Sequence, residues 1–168
     1  GVWNPEQARH LFEYTHKLGG RIDSVEFMNE PNVRTNIYPA DEFARDHALM
    51  QDMVAAVSPD TLIVGPGSTG EAGFKLFSNP PEQMSTARLL SGKPQPRLDV
   101  FSHHYYGAVS QRCKALGLRD PENPREVTTS ESEALDEAWL SRADQAQNVY
   151  KAMRDRFAPN KPIWITET

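Results

Sequence analysis

Four times along the chain, a stretch with apolar residues at helical spacing gives way to a short apolar run, and this alternation constrains the fold more than any other feature. Residues 5–18 carry Ala8, Leu11, Phe12 and Tyr14 at roughly helical intervals, and Gly19-Gly20 stop the helix. "RIDSVEFM" then reads as a strand that leads to Asn29 and Glu30. A second helix is predicted over 40–57, with Phe43, Leu49, Met50, Met53, Val54 and Val57 apolar, and "TLIVGPG" follows as a strand closed by Gly and Pro. A third helix near 82–91 precedes the strand in "RLDVFSHHYYG", and residues 107–132 read as a long loop. A fourth helix is predicted over 133–157, and "KPIWITE" is the fourth strand. Strands alternating with amphipathic helices predict an α/β fold of parallel βα units. An open doubly wound sheet and a (β/α)8 barrel both satisfy this pattern, and periodicity does not choose between them.

Composition narrows the partners. The chain has 168 residues, 38% hydrophobic, with a formal net charge of −5, which fits one globular domain. Its 18 basic residues are scattered, so neither nucleic acid nor an anionic membrane is the expected partner. No apolar run approaches the ~20 residues of a membrane span, and the N-terminal residues lack a signal-peptide pattern. Cys113 is the single cysteine, which excludes an internal disulfide. It reads as an inert thiol or as one that pairs outside this chain.

The strand ends carry the chemistry. Glu30 follows "VEFMN" and Glu167 follows "PIWIT", and in a (β/α)8 barrel the side chains that react project from the C-terminal ends of strands. In a closed ring, strands three apart can turn both carboxylates toward one cleft. Retaining glycosidases need such a pair, one carboxylic acid to protonate the leaving oxygen and one carboxylate to attack the sugar carbon, about 5–5.5 Å apart. No cofactor is required. A metal site at His103-His104 is not expected, because adjacent strand residues point to opposite faces and no ligand cluster accompanies them.

"NEP" after one strand and "WITE" after the third strand beyond it resemble glycoside hydrolase clan A, the retaining (β/α)8 glycosidases. The resemblance implies that Glu30 is the acid/base, Glu167 the nucleophile, and Asn29 a contact to the sugar 2-hydroxyl. It also implies a partial TIM barrel holding about strands four to seven. "E-x-x-NEPN", from Glu26 to Asn32, with "DVFSHHYYG" is most similar to the heparanase/β-glucuronidase family, glycoside hydrolase family 79. Another clan-A activity (β-xylosidase or endoglucanase) is the near neighbour, and a non-catalytic carbohydrate-binding barrel is the alternative from another class. "ITET" departs from the animal enzymes, which have Gly before the Glu. The implied partner is a glycoside, oligosaccharide or polysaccharide, and secretion is implied by the family alone. A closed barrel takes about 250 residues. Residues 1–168 are therefore expected to be a fragment of one catalytic domain, weak or inactive alone, whose missing half comes from the parent chain.

Other residues are read by face. In a strand, Val100, Ser102, His104 and Tyr106 share one side and Phe101, His103 and Tyr105 the other. The first set is assigned to the interior, where Tyr106 would donate its hydroxyl to Glu167 and His104 would contact the sugar. Glu26 shares the face of Glu30 and is read first as a structural hydrogen-bond anchor, with support of the catalytic end as the other role. Trp164 is placed opposite Glu167, as a wall against a helix. "GPGSTG", 65–70, lacks the register of a phosphate loop and is read as part of the cleft rim.

Overall fold

Acidic residues open each of the long helices. The computed structural model describes residues 1–33, 37–71, 84–107, 132 and 135–168. In α1 (Glu6–Lys17), Pro5 precedes the first turn, Glu6 sits at its positive end, and His16 and Lys17 lie at its negative end. Gly19, at φ 78°, turns the chain out, and the Gly20 N–H donates to the Thr15 carbonyl at 2.9 Å. α2 (Ala40–Val57) opens with Asp41 and Glu42 and buries Phe43, His47, Met50 and Val54 along one stripe. α3 (Thr86–Leu89) is a single turn with Ser85 accepting from the Arg88 N–H, shorter than the helix predicted over 82–91. α4 (Glu137–Phe157) carries Arg154 and Arg156 in its last turn and buries Ala146, Tyr150 and Phe157. No helix among the described residues is long and apolar enough to cross a membrane. Most of the loop read over 107–132, with Cys113, lies outside the described residues.

The strands are β1 (Ser24–Glu26), β2 (Leu62–Ser68), β3 (Val100–His104) and β4 (Ile163–Glu167). They pair in parallel in the order β1-β2-β3-β4, a four-strand sheet curled into a half-barrel. Sequential order without a reversal sends each crossover the same way, so the helices collect on one face. A doubly wound sheet needs a reversal in strand order. The main apolar core fills the convex side, with Phe43, Met50, Val54, Leu89 and Phe157 against Ile63 and Phe101. Burying an aromatic such as Phe43 or Phe101, both 0% exposed, contributes roughly 1.5–3 kcal/mol each.

Three local departures from the sequence expectation shape the C-terminal end of the sheet. β1 stops at Glu26 rather than near residue 28, and Phe27 leaves the ladder to pack edge-on against Trp3 and Phe43 at 5.3 and 5.6 Å. β2 keeps Gly65 and Pro66 within the strand and runs one residue past the expected stretch, to Ser68, through a register shift between Pro66 and Ser68. Proline has no N–H to give a central strand, and an irregularity at that point accommodates it. β4 has a second shift, with His103 opposite Ile165 but His104 opposite Glu167. The hydrogen bonds record the extra residue: Phe101 N donates to Pro162 O, whereas Tyr105 N reaches Glu167 O.

Candidate functional site

Glu30 is held by an unusual backbone. Its φ is +45°, a left-handed conformation that costs a non-glycine residue of order 1 kcal/mol or more. Two contacts hold the turn against that cost. The Glu30 N–H donates to the Gly67 carbonyl at 3.2 Å. Asn32, 0% exposed, donates through Nδ2 to the Thr69 carbonyl at 2.8 Å and accepts from the Thr69 N–H at 3.1 Å. The "NEPN" turn is thus fixed to the end of β2. Asn29 lies exposed at the residue before Glu30.

The alternation read for β3 places Ser102 and His104 on the concave side, with His103 on the other, stacked on Tyr150 of α4 at 3.9 Å. His104 is the centre of the site. Its Nδ1 lies 3.2 Å from Glu30 Oε1 and 3.4 Å from Glu167 Oε2, and its Nε2 lies 3.8 Å from Glu26 Oε2. The last distance is ion-pair range rather than a hydrogen bond. Burial alone would push this imidazole down. The pairing with Glu26 and Glu30 and the charge of Glu167 outweigh it and push its pKa up to about 9. The ring is therefore a buried cation at neutral pH. Glu26 shows the reciprocal effect, since burial raises its pKa but His104 and the Ser102 hydroxyl bring it below the ordinary value.

Tyr106 donates its hydroxyl to Glu167 Oε1, so both oxygens of that carboxylate have a partner on β3 or just beyond it. Burial and then the contact with Glu167 raise the phenol's pKa, which keeps the donor protonated. The Glu30 and Glu167 side chains are 22% and 45% exposed, whereas the His104 side chain is 2% exposed. The carboxylates thus face open space and the imidazole lies beneath them.

The irregularity in β4 is what aims Glu167. In a parallel pair, residues in register point the same way, so Trp164 opposite Ser102 and Glu167 opposite His104 both belong to the concave side. The placement of Trp164 opposite Glu167 is therefore corrected. Trp164 is 40% exposed on the side it was not expected to occupy. Sequence alternation missed this because it counts two residues per repeat and cannot register an inserted one.

One oxygen each from Glu30 and Glu167 and one nitrogen of His104 lie within 4.8 Å of one another. A cation could bridge such a spacing, so the expectation that no ligand cluster accompanies the histidine pair does not hold. The imidazolium already supplies the positive charge at that point. A second concavity of about 710 Å³ lies at the opposite end of the strands, near Thr61, Leu98, Asp99 and Lys161, and none of these carboxylates lines it.

The geometry defines an α/β half-barrel with paired carboxylates and an imidazolium at the C-terminal ends of its strands. No protein-family model matches the chain, and no curated protein matches it.

Proposed function

We propose that the chain is the acid/base and nucleophile-bearing part of a retaining glycoside hydrolase. In this reading its strands correspond to the fourth to seventh of a (β/α)8 barrel, and the substrate is a glucuronide or a related glycoside. The observation that carries the reading is the approach of Glu30 and Glu167, with one oxygen of each within 4.8 Å. That is close to the about 5–5.5 Å of retaining enzymes and well short of the about 6.5–9.5 Å that leaves room for water in inverting ones.

The residues have balanced roles. A carboxylate oxygen of Glu167 attacks the anomeric carbon as the bond to the leaving oxygen breaks, and Glu30 gives its proton to that oxygen. Water then attacks the same carbon, loses a proton to Glu30, and the ester bond to Glu167 breaks. Tyr106 and His104 hold Glu167 aimed, and His104 bridges to Glu30. Asn29, exposed one residue before the acid, is the residue this reading assigns to a sugar hydroxyl.

The test assays the full-length protein with nitrophenyl β-glucuronide, β-xyloside and β-glucoside. Turnover of one with retained anomeric configuration is expected, and a 2-fluoro analogue of that sugar should label Glu167. Turnover of none, or product of inverted configuration, overturns the reading.

A further inference from the structure

Glu26 touches more of the sheet than either proposed catalytic residue. Its carboxylate leaves β1, accepts the Ser102 hydroxyl of β3, and accepts the Thr166 hydroxyl of β4 at 3.3 and 3.4 Å. It also lies 3.8 Å from His104 Nε2. β2 contributes by giving way. A Cβ on Gly67 would stand 2.8 Å from the Glu26 carboxyl carbon, and Gly67 has φ +64°. The Gly67 N–H donates to the Ser102 hydroxyl oxygen at 3.0 Å, which leaves the Ser102 proton for Glu26. All four strands therefore meet at one carboxylate directly beneath the proposed reaction centre.

A purely structural anchor would explain Ser102 and Thr166 but not the position of His104. The ring presents one nitrogen to Glu26 and the other to both Glu30 and Glu167. Displacing Glu26 would let the imidazole rotate, and a misplacement of about 1 Å can cost on the order of 10²-fold in rate. Resting on the glycosidase reading above, we propose that Glu26 is a positioning residue. It fixes His104 so that the imidazole holds Glu30 and Glu167 on the same glycosidic bond.

The titratable groups that face His104 are Glu26 and Glu30, from β1 and the turn after it, and Glu167 from β4, while its neighbour His103 lies on the other face of the strand. β2 sets the uncharged Gly67 against the Glu26 carboxylate. The decisive variant is Glu26→Gln in the full-length protein, which keeps the side chain's size and removes its charge. Normalised to titrated active sites, kcat should fall on the order of 10²-fold with KM within about 2-fold of native. The His104 midpoint, read by NMR, should fall by about one unit or more. Adding Glu26→Gln to His104→Gln should cost nothing further. Gly67→Ala, which pushes on the same carboxylate with every charge retained, should lower kcat in the same direction and serves if Glu26→Gln does not fold.

Native kcat per folded molecule in these variants overturns the proposal, as does a fully additive loss in the double variant. If the native protein turns over no glycoside, the glycosidase reading fails separately. The His104 midpoint then decides this inference, and an unchanged value in Glu26→Gln refutes it.

Discussion

His103 and His104 are neighbours on one strand, 0% and 3% exposed, yet they occupy opposite chemical worlds. On the convex side, His103 stacks on Tyr150 with 10° between the ring planes, and among the described residues neither ring nitrogen has a hydrogen-bond partner. Burial holds its pKa down to about 4, so it is a neutral packing residue. On the concave side burial also acts on His104, but carboxylates on two other strands or strand ends push it up to about 9. The difference teaches that depth does not set charge here; the partners do. One face of β3 packs against the helices, and the other gathers charged groups.

If that division is right, substitutions on the two faces should fail in different ways. The largest effect belongs to the concave side. Glu30→Gln and Glu167→Gln should each lower kcat by on the order of 10³-fold or more while leaving the thermal midpoint near native. Activity that survives either change breaks the comparison. Next comes the convex side, where Tyr150 is 1% exposed, stacks on His103, and accepts from the Glu71 N–H at 3.2 Å. Tyr150→Ala should cost about 3–5 kcal/mol in urea unfolding, with little change in activity per folded molecule. A variant of native stability that has lost turnover would mean that the faces are not separable.

The two faces were also unequally legible in the sequence. The long helices and the parallel direction of the strands followed from apolar spacing, because α2 and α4 present their core residues at regular intervals. The His103/His104 division followed from two-residue alternation, because no irregularity precedes His103 within β3. What alternation could not reach was every place where the ladder slips. The shift in β2 at Gly67 and the shift in β4 beside Glu167 depend on tertiary contacts, and the latter reversed the side given to Trp164. The convergence on Glu26 was invisible for the same reason, since Ser102 and Thr166 lie 76 and 140 positions away in the chain. Asn32 had a signal that was passed over. An Asn after Glu-Pro is a residue type that bonds to nearby backbone in turns, and here it does so across to β2.

The smallest effect is the pH dependence of stability, and it sharpens the comparison because the adjacent histidines should pull in opposite directions. For His104 the folded value of about 9 lies above the ordinary 6.5. Its stabilisation is therefore fully present below about pH 6.5 and is lost as pH rises through 9. For His103 the folded value of about 4 lies below 6.5, so its contribution is present above pH 6.5 and is lost as pH falls toward 4. His47, also buried and held down to about 4, adds to the acid limb in the same sense. The alkaline limb between pH 6.5 and 9 has His104 as its main source. The open side of the cluster, where Glu167 is 45% exposed, admits water and salt. Its amplitude should therefore be about 1–2 kcal/mol rather than the full value of the shift. Urea midpoints of the full-length protein at pH 6.5, 8 and 9.5 measure it, and His104→Gln should flatten that limb while His103→Gln leaves it in place. An alkaline limb that persists in His104→Gln would show that the charge beneath the carboxylates is carried elsewhere, and the contrast between the two faces of β3 would then rest on packing alone.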